Sequence, residues 1–293
     1  MGTQHQILFI IFLSILLCSS SASTDYTALV YKGCADQNFP NPSDLYAQSL
    51  KTLFDSLISQ SSNTNFSKLT TGESTQTPIF GLYQCRGDLN SVDCSKCVSE
   101  FPKMARKYCG SNSIAARIQL IGCYMRYEIV GFKQVSSTEL LYKYCKKGEV
   151  NDQGFEGKRE SVFQEVESGA VSGNGFYAAS YESVVYVLGQ CEGDLMGSEC
   201  GDCIRTALER VKVECGDAIG GQVYLNQCYV SYTYYPNGVD QDNPSSSSGT
   251  KKGTAKTVAI VLGGTAAAGF VVVILLFTKS VFKKKPSKFH YGG

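Results

Sequence analysis

The sequence predicts an α+β protein: two tandem disulfide-rich modules, each with two helices packed on an antiparallel sheet, plus one transmembrane helix. Three observations predict it. Cys85, Cys94, Cys97, Cys109 and Cys123 are separated by 8, 2, 11 and 13 residues, and Cys191, Cys200, Cys203, Cys215 and Cys228 by 8, 2, 11 and 12. Each set has a distant upstream member, Cys34 or Cys145. Within each copy the apolar period changes from helical to alternating, and a 21-residue uncharged apolar run, 257–277, follows the second copy.

The elements follow in chain order. Residues 1–24 read as a secretory signal peptide, with an apolar run from Ile7 to Leu17 and small residues Ser20 and Ala22 at the cleavage site. Its removal takes away Cys18 and leaves twelve cysteines, an even number suited to an oxidising compartment. The first module occupies 25–131 and the second 132–237. The copies also share Gln84-Cys85-Arg86-Gly87-Asp88-Leu89 with Gln190-Cys191-Glu192-Gly193-Asp194-Leu195.

In the first module Tyr46, Leu50, Leu53, Phe54, Leu57 and Ile58 recur at helical spacing, with Asn41 or Ser43 as cap. The matching helix of the second module, around Val162, Phe163 and Val166, is expected to be shorter, because glycines crowd 169–175. A second helix carries the stripe Cys97, Phe101, Ala105 and Tyr108, or Cys203, Ala207, Val211 and Cys215. Strands follow: Ile118 and Leu120 alternate with Arg117 and Gln119, and Cys123, Met125, Tyr127 and Ile129 with Tyr124, Arg126 and Glu128. Pro78 to Arg86 and Tyr186 to Gln190 are further strands.

Residues 238–256 form a polar stalk, 257–277 the bilayer span and 278–293 a basic cytosolic tail. The span is long enough to cross the hydrocarbon core. Lys279, Lys283, Lys284, Lys285 and Lys288 orient it as a single-pass type I span with the modules outside. Gly264, Ala268 and Gly269 are either a helix contact patch or small lipid-facing residues. The formal charge of +1 divides into eight tail and stalk lysines and about −7 over residues 1–250, a poor surface for nucleic acid.

The chemistry excludes more than it offers. The only histidines, His5 and His290, lie in the signal peptide and the tail. No outer histidine can act as a general base or metal ligand. The CxxC pairs 94–97 and 200–203 have a redox and a zinc reading, but six cysteines per module favour structural bridges. Six cysteines allow 15 pairings. Asp88 and Asp194 are read as turn organisers. Catalytic, cofactor and metal residues are therefore expected to be none. Asn65-Phe66-Ser67 is an N-glycosylation sequon. Tyr224, Tyr229, Tyr232, Tyr234 and Tyr235 form either a binding or module–module face, or ordinary sheet packing.

The C-x8-C-x2-C motif at Cys85/Cys94/Cys97 and Cys191/Cys200/Cys203 resembles the plant ginkbilobin-type domain, also called the stress-antifungal or salt-stress-response domain. The whole layout resembles the plasmodesmata-located proteins of plants. The resemblance implies two helices against an antiparallel sheet. It also implies bridges Cys34–Cys109, Cys85–Cys94, Cys97–Cys123, Cys145–Cys215, Cys191–Cys200 and Cys203–Cys228.

The resemblance further implies a plasma-membrane protein at plasmodesmata that regulates cell-to-cell movement through callose deposition, takes part in defence and is a docking partner for viral movement proteins. Relatives that bind mannose use an Asn, an Arg and a Glu. Here Ala35 and Lys146 replace the Asn, Arg117 and Glu128 match in module one, and Gln222 and Thr233 stand in module two. Arg117 and Glu128 are thus either a ligand pair or a cross-strand ion pair.

Two function classes stand. The favoured one is a junctional adaptor or scaffold that works in the lipid bilayer as a homo- or hetero-oligomer with related membrane proteins and contacts callose-related proteins. The other is a co-receptor or lectin-like binder of wall carbohydrate or peptide, signalling through a receptor-like kinase. Carboxylate-based glycan hydrolysis is a weaker third.

Overall fold

The computed structural model describes residues 24–39, 44–72 and 78–238. Both modules lie in one compact unit, Met1–Ser248, and a second unit, Gly249–Gly293, lies outside the described residues. The expected cap at Asn41 or Ser43 is outside them too.

Module one runs β1 (Leu29–Cys34), α1 (Asp44–Gln60), β2 (Phe66–Thr71), β3 (Ile79–Cys85), α2 (Ser91–Ser99), α3 (Phe101–Cys109), β4 (Ala115–Leu120) and β5 (Cys123–Ile129). Module two runs β6 (Leu140–Cys145), α4 (Phe155–Ser172), β7 (Phe176–Tyr181), β8 (Val185–Cys191), α5 (Gly197–Cys215), β9 (Gly220–Leu225) and β10 (Cys228–Tyr234). Each module forms a five-stranded antiparallel sheet, ordered β1-β4-β5-β3-β2 and β6-β9-β10-β8-β7.

Strand alternation sends every second residue to the helices. Ile118 and Leu120 of β4 and Cys123, Met125 and Tyr127 of β5 join Leu53, Leu57, Phe101 and Ala105 in the first core. Val223, Leu225, Cys228, Val230 and Tyr232 join Phe163, Val166, Ile204 and Val211 in the second. One face of each sheet is thereby covered by helices, the two-layer arrangement an α+β module requires.

The disulfides fasten those layers. Cys94 and Cys97 lie three residues apart on α2 and so share one helix face. Cys85 and Cys123 lie directly opposite each other on β3 and β5. One helical turn thus meets one strand pair through two bridges, Cys85–Cys94 and Cys97–Cys123, with Cα separations of 5.6 and 6.0 Å. Cys191–Cys200 and Cys203–Cys228 repeat the arrangement on β8, α5 and β10. A third bridge, Cys34–Cys109 or Cys145–Cys215, ties the end of the first strand to the end of the second helical segment.

The structure corrects the expected fold in three ways. Among the described residues no helix is long and apolar enough to cross a membrane. The longest, α5, has 19 residues and carries Glu199, Asp202, Arg205, Glu209, Arg210, Lys212 and Glu214. The architecture described is therefore two modules of helices on sheets without a membrane helix. The expected span 257–277 and tail 278–293 lie outside the described residues, as do 1–23 of the signal peptide and the stalk from 239.

Second, among the described residues module one has three helices rather than two. The stripe from Cys97 to Tyr108 is broken at Glu100, where α3 restarts with Pro102 in its first turn. Proline has no N–H to continue the preceding helix. The corresponding residue of module two is Leu208, and α5 is continuous.

Third, the first helix of module two is not shorter: α4 spans 18 residues and α1 spans 17. Gly169 does not end α4. The Tyr177 ring of β7 crosses there, and a Cβ on Gly169 would sit 2.3 Å from it. The helix stops at Gly173, whose N–H donates to the Gly169 carbonyl at 3.0 Å.

The β7–β8 hairpin turns through Glu182 and Ser183 at φ 47° and 58°, with Val184 N–H donating to the Tyr181 carbonyl at 2.8 Å. Two consecutive left-handed residues favour asparagine and glycine. Ser183→Gly is expected to stabilise the protein by about 0.5–1 kcal/mol, measured as a raised midpoint in urea unfolding.

Burial also orders the bridges by access. Cys34, Cys109, Cys145 and Cys215 are half-buried, whereas the other eight bridged cysteines are buried. Graded reduction followed by alkylation and peptide mass spectrometry should label Cys34–Cys109 and Cys145–Cys215 first, since thiolate exchange needs access to sulfur.

Candidate functional site

The sheet faces turned away from the helices meet each other. They do so around an approximate two-fold axis, because structurally equivalent residues contact across it. Tyr31 and Tyr142 each stand three residues before the first cysteine of their module. Their rings stack with centroids 5.1 Å apart and planes 15° apart. Phe66 of β2 lies against Gly193, where a Cβ would be 2.5 Å from the ring, and Phe176 of β7 lies against Gly87, where it would be 2.4 Å away. Phe66 and Phe176 pair with Gln84 and Gln190 in their own sheets. The glycine repeated in both Gln-Cys-x-Gly-Asp-Leu segments is thus a seat for the other module's phenylalanine.

Polar groups fill the centre. Gln190 Nε2 donates to the Cys85 carbonyl at 2.9 Å. Glu192, 2% exposed, accepts from the Tyr124 hydroxyl and from Arg126 Nη2 at 3.4 Å. Burial, with the Glu192 carboxylate beside it, holds the Tyr124 phenol well above its ordinary range, so Tyr124 stays a neutral donor. Arg86, the equivalent of Glu192, instead closes on Asp88 of its own turn at 2.6 and 3.0 Å. Asp194, the equivalent of Asp88, receives Lys68 from module one at 2.6 Å.

Arg117 and Glu128 are not brought together. Arg117 stands opposite Arg126 across β4 and β5, and Glu128 stands opposite Ala115. Arg117 Nη1 donates to the Asn226 carbonyl at 2.8 Å and Nη2 to Asn226 Oδ1 at 3.1 Å, and its guanidinium lies 5.2 Å from the Tyr124 ring centre. Glu128 accepts from Gln134 at 2.8 Å and lies 3.8 Å from Arg126. The cross-strand ion pair is therefore replaced by a module–module contact, because the register offsets the two residues by two positions along the ladder.

The cavity beside Arg117, lined also by Gln84, Tyr124, Gln190, Asn226 and Tyr229, measures about 20 Å³. That is room for roughly one water and far below a ligand cleft of several hundred Å³. A sugar ring does not fit.

The tyrosine cluster divides by strand face. Tyr224 and Tyr229 stack on each other at 5.0 Å in the module–module face, while Tyr232 is in the core, Tyr234 meets Phe155 and Tyr235 meets Tyr186. Asn65 is exposed just before β2, and its carbonyl accepts from Cys85 N–H at 2.7 Å. Among the described residues no group of three His, Cys, Asp or Glu is placed to hold a metal ion. Sequence reasoning missed Phe66, Phe176, Gly87 and Gly193, although the repeated glycine was a visible signal.

Gly193→Ala or Gly87→Ala is expected to weaken docking by about 1–3 kcal/mol, the cost of overpacking a closed contact. Gly157→Ala, exposed on α4 with no atom within 4 Å of its added Cβ, should not. Thermal unfolding of the docking variants should broaden or split where the parent and Gly157→Ala do not. Docking should also fail in alkali. Burial raises the pKa of Tyr31, Tyr124, Tyr224 and Tyr229. Each holds its proton more tightly folded than unfolded, so the stability it lends is complete below about pH 10 and is lost as the pH rises beyond. Urea midpoints measured from pH 8 to pH 11 should fall only at the upper end.

A family model described as salt stress response/antifungal matches residues 33–129 and 144–235. The chain is 49% identical to plasmodesmata-located protein 2 of Arabidopsis thaliana, over 90% of each chain. It is 45% identical to plasmodesmata-located protein 1 of the same plant, over 92% of this chain and 93% of that one. The solved tandem DUF26 ectodomain of the Arabidopsis cysteine-rich receptor-like protein PDLP8 superposes with a TM-score of 0.64 at 33% identity, covering 71% of this chain and 98% of the other. The duplicated bridge pattern and the two helix-covered sheets are thus a shared inheritance, and the chain belongs to the plasmodesmata-located protein family, built from tandem salt stress response/antifungal domains and non-enzymatic.

Proposed function

We propose that this protein is a non-enzymatic adaptor at plasmodesmata, where it regulates movement between cells through callose deposition and contributes to defence. The observation that carries this reading is the close similarity, over nine-tenths of both chains, to a relative named for its location at plasmodesmata. Its modules work outside the cell, a reading supported by six disulfides that need an oxidising compartment.

The docking face favours an adaptor over a mannose reader. Arg117 is bound by Asn226, and the cavity beside it is too small for a sugar. Protein contacts then fall to the outer helix faces, the free sheet edges and the loops. Callose-related proteins, a receptor-like kinase, viral movement proteins and further copies of related chains are the partners this reading assigns to those surfaces. Asn65, exposed at the start of β2, carries the glycan.

The full chain fused to a fluorescent protein and expressed in leaf epidermis should give puncta at cell junctions that overlap callose staining. Raised expression should change callose level and the spread of a mobile dye together. A uniform surface signal would overturn the location, and puncta with unchanged callose and dye movement would overturn the regulatory role.

A further inference from the structure

We propose that module one carries a binding groove for an acidic polysaccharide, a chain of uronate-type sugars, on the outer side of α3. An open hollow of about 450 Å³ lies there, lined by Ser99, Pro102, Lys103, Arg106 and Lys107. It is open to solvent and walled on one side only, by α3 and the end of α2, so it suits a chain laid along the surface rather than an enclosed ligand. Lys103, Arg106 and Lys107 are exposed and lie three and four residues apart, on neighbouring positions of one helix. Next to them the Tyr108 ring is flanked by two ammonium groups, Lys107 at 4.9 Å and Lys32 at 5.7 Å from its centre.

The second copy shows that this charge is not a requirement of the fold. The segment 91–109 has four basic residues against two acidic, whereas 197–215 has three against four. Glu209 replaces Lys103, Val213 replaces Lys107 and Glu214 replaces Tyr108. Glu214 accepts from Lys143, the equivalent of Lys32, and Lys212, the equivalent of Arg106, is held by Glu160 at 2.7 Å. In module one, Lys32 donates to the Tyr108 carbonyl at 3.2 Å, and Lys103 shares Glu100 at 3.1 Å while 74% exposed. Among the described residues, Lys32, Arg106 and Lys107 have no carboxylate at ion-pair distance. Residues 25–131 hold ten basic and nine acidic residues and residues 132–237 nine and fifteen, so the acidic excess lies on the second copy and the cationic strip on the first.

The lining chooses among anionic partners. Pro102 is the one apolar residue in it, so a peptide finds no pocket for side-chain anchors and a membrane finds no wedge to receive. Exposed cations spaced along one helix suit a polar chain that repeats a carboxylate, and the Tyr108 ring, packed against the core, holds the Lys107 and Lys32 ammonium groups beside it. The proposal is independent of the adaptor reading, since binding is measured on purified protein and location in tissue.

The test uses the purified full chain with its bridges intact and oligogalacturonate of defined length as probe. Saturable binding is expected, falling steeply as salt rises from 50 to 300 mM, and at least about tenfold tighter than for a neutral glucan of equal length. Lys103→Ala/Arg106→Ala/Lys107→Ala should weaken it about tenfold. Tyr108→Leu should weaken it severalfold, and Lys212→Ala should leave it unchanged. The triple variant should unfold at the parent temperature, since all three side chains are exposed. Equal binding by parent and triple variant would overturn the proposal. So would polyglutamate or anionic-lipid vesicles binding as tightly as oligogalacturonate and losing as much in the variant, the outcomes of a peptide or membrane partner.

Discussion

A sheet with helices on one side has a second face that must also be covered, and the structure depends on how this protein covers it. Each module's second face is closed by the other module. The contact is not a flat apolar seam. It is two phenylalanine-on-glycine seats, one tyrosine stack and a set of buried polar groups that find partners across the junction. Buried polar groups are costly when unpaired, so Gln190, Glu192 and Arg117 hold the modules in one register. Each has hydrogen bonds that form only when the other module is in place.

The approximate two-fold geometry is what a duplicated module that pairs with itself would leave behind, since an isologous contact presents the same patch twice. The symmetry does not extend to charge. Arg86 and Glu192 occupy equivalent positions with opposite charge. Two arginines there would both need acidic partners; instead Arg86 closes on Asp88 and Glu192 crosses to Tyr124 and Arg126. Pro102 and Leu208 mark the same freedom on the helical side, where one copy breaks its second helix and the other keeps it whole.

Much of each module was legible because its signals are local. The spacing of Cys94 and Cys97 places two sulfurs on one helix face, and the alternation from Cys123 to Ile129 assigns each strand residue to a side. Gly169 was misread in effect and Pro102 was passed over: the glycine is tolerated because Tyr177 occupies its missing Cβ, and the proline divides a stripe whose apolar period runs straight through it. Arg117 and Glu128 look paired when strands are compared by motif alone. Only the register, with Arg117 opposite Arg126, separates them. The docking face was the least legible part, because Phe66 and Gly193 are brought together by the placement of whole modules rather than by any periodicity.

That placement bears on function through what it removes and what it leaves. It removes the sheet faces, and with them Arg117 and the tyrosines at 224 and 229, from contact with anything outside. It leaves the helix-covered sides of both modules facing away from the junction. On those sides the two copies differ in charge: a carboxylate neutralises Lys143 in module two, and a tyrosine ring lies beside Lys32 in module one. A duplicated protein whose shared faces are consumed in holding the copies together can specialise only on the faces that remain. Recognition therefore falls to the helices, where the sequence of one copy does not repeat the other.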